Sequence, residues 1–465
     1  MERMQFETQS GVAGYVDELG KLFPNCITEK KDADGNIVKS VNFDMLKQLL
    51  SEEETDSSES YEFTWPGKKK AIAEANRAIK MTLRADREKS IHWEETKNLY
   101  IEGDNVFVLK LLQEKYFEKI KMIYIDPPYN TGSEFVYHDN FMHSEWCSMI
   151  YPRLMLARNL LSEDGAIFIS IDDNEQANLK KMCDEIFGES NCVGEIIRKT
   201  KSMTGDHGSG FNLQHESLFI YAKTIEKLTL KGEPKAFSNY SNPDNDPNGD
   251  WCSGDPSARS GGPSTYFEIE NPYTHKKDVP PSGRYWAFSQ ETLEKYIREG
   301  KVKFKRQHKD EERGFIFKRY KKDAISLYNP VHSLFGAENA YMNQAATIEL
   351  KNIFGSDVFS YPKPVAFIKK LVQYATDEDS IVMDFFAGSA TTAQAVIEQN
   401  AEDGGRRTFI MVQTPEEIGK RSGAYRSGFR TLCDIGRERI RLAAENLGDD
   451  IDSGYQTWVL EDADS

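Results

Sequence analysis

Residues 121–129 read KMIYIDPPY, and this stretch decides the architecture. Segment 121–125 (KMIYI) has the nearly continuous apolar, β-branched content of a strand buried inside a parallel sheet. Working outward, 98–101 is a short strand ending in the turn 102–104 (EGD), and 106–112 continues with helical spacing. Residues 144–161 place Trp146, Met149, Ile150, Leu154, Leu156, Leu160 and Leu161 at helical intervals. The turn 163–165 (EDG) then leads into 166–171 (AIFISI), a second apolar strand, followed by a helix at 175–186 and strands at 196–197 and 218–221. Strand–helix alternation of this kind predicts an α/β doubly wound sheet. The pattern breaks at about Lys231 and resumes at about Leu350. Between them the chain is rich in Asn, Asp, Pro, Gly and Ser, then mixes aromatic and basic residues. After Pro364 the alternation returns: helix 365–375, strand 380–386 (SIVMDFF), helix 391–399 and strand 408–412 (TFIMV). One α/β domain with an inserted segment accounts for this order, and no repeat of solenoid period is seen.

A chain of 465 residues holds two or three domains, and 39% hydrophobic with 11% aromatic residues is ordinary globular composition. It contains no apolar run of 18 residues, and MERMQFETQSG is not a secretory leader, so a cytoplasmic protein without a membrane span is expected. The six cysteines form no CxxC pair, and no cluster has metal-ligand spacing, so no metal is expected. A net charge of −16 argues against non-specific coating of nucleic acid. The charge is segregated, however. Residues 51–60 carry five acids and no base, and 445–465 carry seven acids and no Lys or Arg. Residues 301–322 hold ten Lys or Arg against three acids, a local balance of +7. Within them Lys301, Lys303, Lys305, Arg306, Lys318 and Arg319 are candidate phosphate contacts, with Phe304, Phe315 and Phe317 anchoring half-exposed strands; a solvated basic face is the alternative.

Asp126, Pro127, Pro128 and Tyr129 directly follow the strand 121–125, and ligands of open α/β sheets bind at strand carboxyl ends. The prolines fix φ and restrict the residues before them, holding Asp126 and Tyr129 in place. An exocyclic purine amine is a poor nucleophile because its lone pair is delocalised into the ring. Asp126 and the Pro127 carbonyl can accept its two N–H hydrogens and localise that lone pair, while Tyr129 can stack on a flipped base. A strand-terminal turn with a capping aspartate is the structural alternative. The loop 386–392 (FAGSATT) joins strand to helix with small residues, and admits a ligand carboxylate at the unpaired N–H groups of the helix start. It is neither a Walker A loop nor a full G-x-G-x-x-G, and a ligand-free tight turn remains open. Asp384 is a polar group in an apolar strand and needs a partner.

Together, these motifs carry a resemblance. Residues 126–129 resemble the DPPY motif of amino-methyltransferases, and 386–388 their FxG cofactor motif. Their order, with an insertion between, resembles the β class of DNA methyltransferases. Segments 99–105 (LYIEGDN), 123–141 (IYIDPPYNTGSEFVYHDNF), 151–176 (YPRLMLARNLLSEDGAIFISIDDNEQ) and 361–364 (YPKP) are similar to the Mod subunit of type III restriction–modification systems. So are 63–70 (FTWPGKKK) and 427–439 (SGFRTLCDIGRER), and the likeness covers almost the whole chain.

The resemblance implies a class I methyltransferase fold, a Rossmann-like doubly wound sheet in permuted motif order. It implies site-specific transfer of a methyl group from S-adenosyl-L-methionine to N6 of adenine in double-stranded DNA. Asp126, Pro127, Pro128 and Tyr129 would act on the adenine. Asp104 would contact the cofactor's adenine ring, although a helix cap after Gly103 also explains it. Asn130, Asp384, Phe386, Ala387, Gly388 and Ser389 would bind the cofactor, with Lys363 and Pro364 closing the pocket and Gln413 and Glu416 reaching the ribose. Ala390 stands where a longer form of the motif has a second glycine, and cofactor binding is expected to survive it. The expected division is an N-terminal segment 1–97, a catalytic half 98–230, a target recognition domain 231–350, a cofactor half 351–448 and an acidic tail 449–465. Implied partners are DNA, a second copy of the chain, and a restriction (nuclease/ATPase) subunit; relatives continue into a further C-terminal region beyond the segment matching 454–460. N4-cytosine methylation, methylation of a protein or RNA amide, and a non-catalytic DNA specificity subunit are the competing readings. An aspartate as first motif residue and the large insertion count against the second, and intact Asp126 and Gly388 against the last.

Overall fold

The computed structural model describes residues 62–132, 139–202, 212–336, 338–445, 447 and 451–463, and before residue 47 only 3–4, 15–16, 19–20, 22–31, 37–43 and 45–46. The acidic run 51–60 and residues 133–138 of the segment 123–141 lie outside the described residues. The chain divides into two units, 1–230 with 331–465, and 231–330.

The first unit is built on one sheet. In chain order its strands are β1 (Arg3–Met4), β2 (Met81–Ala85), β3 (Leu99–Glu102), β4 (Ile120–Ile125), β5 (Leu161–Ile171), β6 (Cys192–Lys199), β7 (His215–Ala222), β8 (Leu334–Phe335), β9 (Ile381–Asp384), β10 (Thr408–Gln413) and β11 (Gln456–Asp462). Among the described residues they lie in the order β1-β2-β11-β3-β10-β9-β4-β5-β7-β6-β8. The central run from β11 to β5 is parallel. These strands are apolar almost throughout because both faces are covered. On one face pack α2 (Asn105–Tyr116), α3 (His143–Leu160) and α4 (Gln176–Phe187). On the other pack α6 (Val365–Ala375), α7 (Thr391–Asp403) and α8 (Leu432–Ala444).

The decisive pairing joins distant parts of the chain. β9 lies beside β4 in parallel, with Val382 opposite Met122 and Met383 opposite Ile123. From β4 the chain proceeds through α3 to β5 on one side; from β9 it proceeds through α7 to β10 on the other. That divergence opens a crevice at the strand ends, where open α/β sheets take ligands.

Three expected boundaries are corrected. The segment before residue 98 is not separate: α1 (Lys68–Asn76) packs on α3, and β2 pairs with β11. The acidic tail contains β11, which lies between β2 and β3. Its composition hid the run Trp458, Val459 and Leu460; Trp458 is buried and its ring centroid lies 5.2 Å from that of Trp93. The inserted unit ends at Pro330, not at about Leu350. Residues after it pair into the main sheet, Leu334 opposite Ile197, and Phe335 and Tyr341 join the core beneath α6.

The second unit has its own core of Ile269, Trp286, Phe288, Leu293, Val302 and Phe315, with Phe304 and Phe317 packed against it. Strand Phe315–Tyr320 pairs antiparallel with both Trp251–Ser253 and Val302–Phe304, and α5 (Gln290–Arg298) joins them through Leu293. The expected basic–apolar strands are therefore present. Among the described residues no helix is long and apolar enough to cross a membrane.

Candidate active site

A cavity of about 220 Å³ occupies the crevice at the ends of β4 and β9. Asp126 and Pro128 line it from β4, and Asp384, Phe386, Ala387, Gly388 and Ser389 from β9, with Lys363, Gln413 and Glu416 completing the wall. Residues far apart in sequence thus meet because two parallel strands are neighbours.

Asp126 is the centre of a charged network. Lys363 Nζ lies 2.8 Å from its Oδ1. The ion pair buries Oδ1 against the ammonium. Lys363 also donates to the Tyr129 hydroxyl at 2.8 Å and lies 3.4 Å from Glu216 Oε2. The Tyr129 hydroxyl in turn donates to Glu216 Oε2 at 3.2 Å. Glu216, buried on β7, is held by buried Arg198 at 2.8 Å. Burial pushes the Asp126 carboxyl up, Lys363 opposes that, and the Glu216 charge adds to it. Burial acts on Glu216 in the same sense, but Arg198 and Lys363 outweigh it and hold its carboxyl low. Burial, with Asp126 and Glu216, lifts the Tyr129 phenol well above its ordinary range.

The two proline carbonyls differ in their partners. Trp146 donates its indole N–H to the Pro128 carbonyl at 2.7 Å. Among the described residues none donates a hydrogen bond to the carbonyl of Pro127, so it remains available as an acceptor.

The loop after β9 is tied to its own surroundings. Asp384 accepts from Phe386 N at 3.0 Å and from Thr392 Oγ1 at 2.6 Å, and burial lifts its carboxyl to about 7. Gly388 N–H donates to Gln413 Oε1 at 2.7 Å and Ala387 N–H to the Val412 carbonyl at 3.2 Å. Gly388 has φ +53°, and a Cβ there would meet the Phe359 ring at 3.4 Å. Ala390 has φ +63° and is fully buried, so the position has the backbone of the glycine it replaces.

Several expected residues stand off the cavity wall, and Pro127 and Tyr129 lie behind it beside Asp126 and Pro128. Asp104 caps α2, accepting from Val106 N at 2.9 Å, and pairs with Arg153 at 3.0 Å. It does not line the cavity, but its neighbour Asn105 does, donating to the Phe385 carbonyl at 2.6 Å. Asn130 turns the chain at φ +61°, donating to Glu175 at 2.6 Å and accepting from Phe141 N at 2.7 Å, and it too misses the wall. Pro362 lines the cavity rather than Pro364, which stands at the start of α6. Lys363 lines it but serves Asp126 and Tyr129. Glu216, Arg198 and Arg153 were missed, although a charged residue in an apolar strand or helix is the signal that singled out Asp384.

The basic segment is also corrected. Lys318 is 2% exposed and paired with Asp244 at 2.7 Å and with Asp246, its ammonium 4.5 Å from the Trp251 ring centroid. It is an internal cation and cannot reach a phosphate without losing that shell. Lys301 pairs with Asp323 at 2.9 Å, Lys303 with Asp244 at 2.5 Å and Lys305 with Glu312 at 3.2 Å. The +7 balance omitted acids that folding brings alongside. Arg306 lies over the Tyr273 ring, and Arg319 is exposed.

Comparison with known proteins gives a consistent set of likenesses. A family model described as DNA methylase matches residues 120–445. The StyLTI Mod subunit of the type III restriction–modification enzyme from Salmonella typhimurium is 32% identical, over 97% of this chain and 76% of that one. The EcoPI Mod subunit of Escherichia phage P1 is 33% identical, over 94% and 75%. Among solved structures, the M1.HpyAVI–SAM complex aligns with 73% of this chain and 98% of that one, at 12% identity and a TM-score of 0.33.

Proposed function

The chain belongs to the DNA methylase family and, within it, to the Mod subunits of type III restriction–modification enzymes, and on that premise we propose that it methylates N6 of adenine in duplex DNA. It is a DNA methyltransferase of a restriction–modification system with the class I methyltransferase fold. The observation that carries the adenine-amine reading is the Asp126 carboxylate. It lines the cavity with the Lys363 ammonium 2.8 Å from its Oδ1, one residue before the Pro127 carbonyl, to which no described residue donates.

The cavity fits S-adenosyl-L-methionine: the small residues Ala387, Gly388 and Ser389 line it, and at left-handed Gly388 a side chain would meet the Phe359 ring across the wall. Gly388, Ser389, Phe386 and Gln413 would hold it. When bound, it supplies an electrophilic methyl group on a sulfonium. The protein's share is orientation and charge. Asp126 and the Pro127 carbonyl accept the two amine hydrogens, which localises the nitrogen lone pair. Lys363 supports the charged form of Asp126 against burial. Glu216 and Lys363 fix the Tyr129 hydroxyl, so its ring is set before a base arrives. The proton released from the methylated amine passes to the Asp126 carboxylate, whose affinity for a proton is raised by burial. Holding the reactants together supplies most of the remaining rate.

Unit 231–330 is the proposed target recognition domain, with exposed Arg306 and Arg319 as its phosphate contacts. A second copy of the chain and a nuclease/ATPase subunit are the proposed partners, checked by light scattering of the purified chain alone and with that subunit. The central test is transfer of labelled methyl to duplexes with and without adenine, followed by base analysis. Label on N6-methyladenine is expected; label on N4-methylcytosine overturns the adenine assignment. Asp126→Ala should lower turnover by more than about tenfold with cofactor binding kept, because a general base is worth that much or more. Retained turnover would remove Asp126 from the chemistry.

A further inference from the structure

Arg439 is fully buried and takes no part in the machinery above. It closes the segment 427–439, whose other members have structural duties. Thr431 caps α8, accepting from Asp434 N, and Arg437 pairs with Asp434 at 2.6 Å and with Glu102. Arg439 instead points its donors at the glycine loop. Its Nη1 donates to Ser389 Oγ at 2.7 Å and to Thr391 Oγ1 at 2.6 Å, and its Nε to Gln394 Oε1 at 2.7 Å. Its Nη2 has no hydrogen-bond partner among the described residues. Among the described residues no carboxylate lies within ion-pair distance of it. Burial lowers its pKa to about 10, against the support of Glu349 and Glu398, so the charge persists at neutral pH.

The direction of these bonds matters. A guanidinium only donates, so both hydroxyl oxygens accept from it and their protons must point elsewhere. Both residues line the cavity. The two oxygens lie 3.5 Å apart, so contact between them absorbs at most one of the two protons. Four backbone donors of the loop are engaged. The amides of Phe386, Ala387, Gly388 and Ala390 donate to Asp384, Val412, Gln413 and Ala387 respectively. Beside the remaining amides of the helix start, the wall offers hydroxyl protons backed by a buried cation. That cation sits at the start of α7, where the helix field is already positive, so the two fields add instead of cancelling. A buried charge left in this state is costly unless something negative completes it.

We infer that Arg439 sets Ser389 and Thr391 as donors for a carboxylate, the amino-acid end of the S-adenosyl cofactor. It is a positioning residue that acts through the two hydroxyls, and the inference rests on the cofactor reading above. The experiment is calorimetric titration of the full chain with S-adenosylhomocysteine and with 5′-methylthioadenosine, which lacks the amino-acid end. The wild type should bind the first about ten- to a hundredfold tighter, the range of charge-assisted hydrogen bonds. Arg439→Met should weaken S-adenosylhomocysteine about tenfold or more and leave methylthioadenosine unchanged, with partial recovery in Arg439→Lys. Ser389→Ala with Thr391→Val should reproduce the loss with Arg439 in place, and adding Arg439→Met should then change little. The hydroxyl variants decide the matter alone if Arg439→Met does not fold. Equal weakening of both ligands, or no weakening, overturns the inference. A wild type that binds both ligands equally overturns it while the cofactor reading stands; one that binds neither overturns both.

Discussion

Lys363→Met isolates the electrostatics of the site. The ammonium lies 2.8 Å from Asp126 and 3.4 Å from Glu216. At an effective dielectric of about 20, the first contact alone is an attraction of about 6 kcal/mol, much of it offset by the cost of burying both ions. Removing one partner of such a pair leaves about 3–5 kcal/mol uncompensated. Glu216 retains Arg198 at 2.8 Å, so most of that loss falls on Asp126. The Asp126 carboxyl, already raised by burial, rises further. Its ionised form is the active one, so activity is lost as pH falls through the raised pKa, and the acid limb of the variant moves to higher pH. About 3 kcal/mol corresponds to roughly a hundredfold lower kcat at a pH where Asp126 titrates, with partial recovery in more alkaline buffer. The assay is methyl transfer to duplex DNA, with kcat and KM measured between about pH 6 and pH 9. An unshifted profile, or a raised KM for S-adenosylmethionine with unchanged kcat, would refute the reasoning and return Lys363 to the cofactor.

Gly388→Asp forces a side chain into left-handed backbone at about 1–2 kcal/mol and places it toward Phe359 with a negative charge beside the cofactor wall. Calorimetry should find S-adenosylhomocysteine at least about a hundredfold weaker, and unchanged affinity would mean the loop does not touch it. Asp384 has a folded pKa of about 7, above its ordinary value, so its contribution to stability is present in acid and is lost as pH rises towards 7. Asp384→Asn should therefore melt progressively higher than the wild type between about pH 5 and pH 7, with a constant difference above; a pH-independent difference contradicts the buried-acid account. Lys318→Met should destabilise unit 231–330 by about 1–3 kcal/mol, seen as faster hydrogen exchange there, because Asp244 and Asp246 lose one of the donors that hold them. A normally folded variant whose DNA-binding salt slope falls by about one unit would instead make Lys318 a phosphate contact.

The sequence by itself carried the periodic part of the molecule. KMIYI, AIFISI, the IVMD of SIVMDFF and TFIMV are strands because both sheet faces are covered, and their apolar runs state that directly. Asp126 and Gly388 were legible because a strand end and a glycine turn are local signals. Three things were settled only by tertiary structure. The run Trp458–Leu460 could not be told from an acidic tail until β2 and β3 were there to pair with it. The basic count of 301–322 could not reveal Asp244 and Asp246, distant in sequence, that neutralise its interior. Lys363 read as a cofactor residue because 361–364 was seen alone; the parallel pairing of β9 with β4, and the place of Glu216 on β7, decide which carboxylates it meets. Backbone periodicity is written in neighbours along the chain, whereas charge partnership is written in neighbours through space, and only the folded sheet turns one into the other.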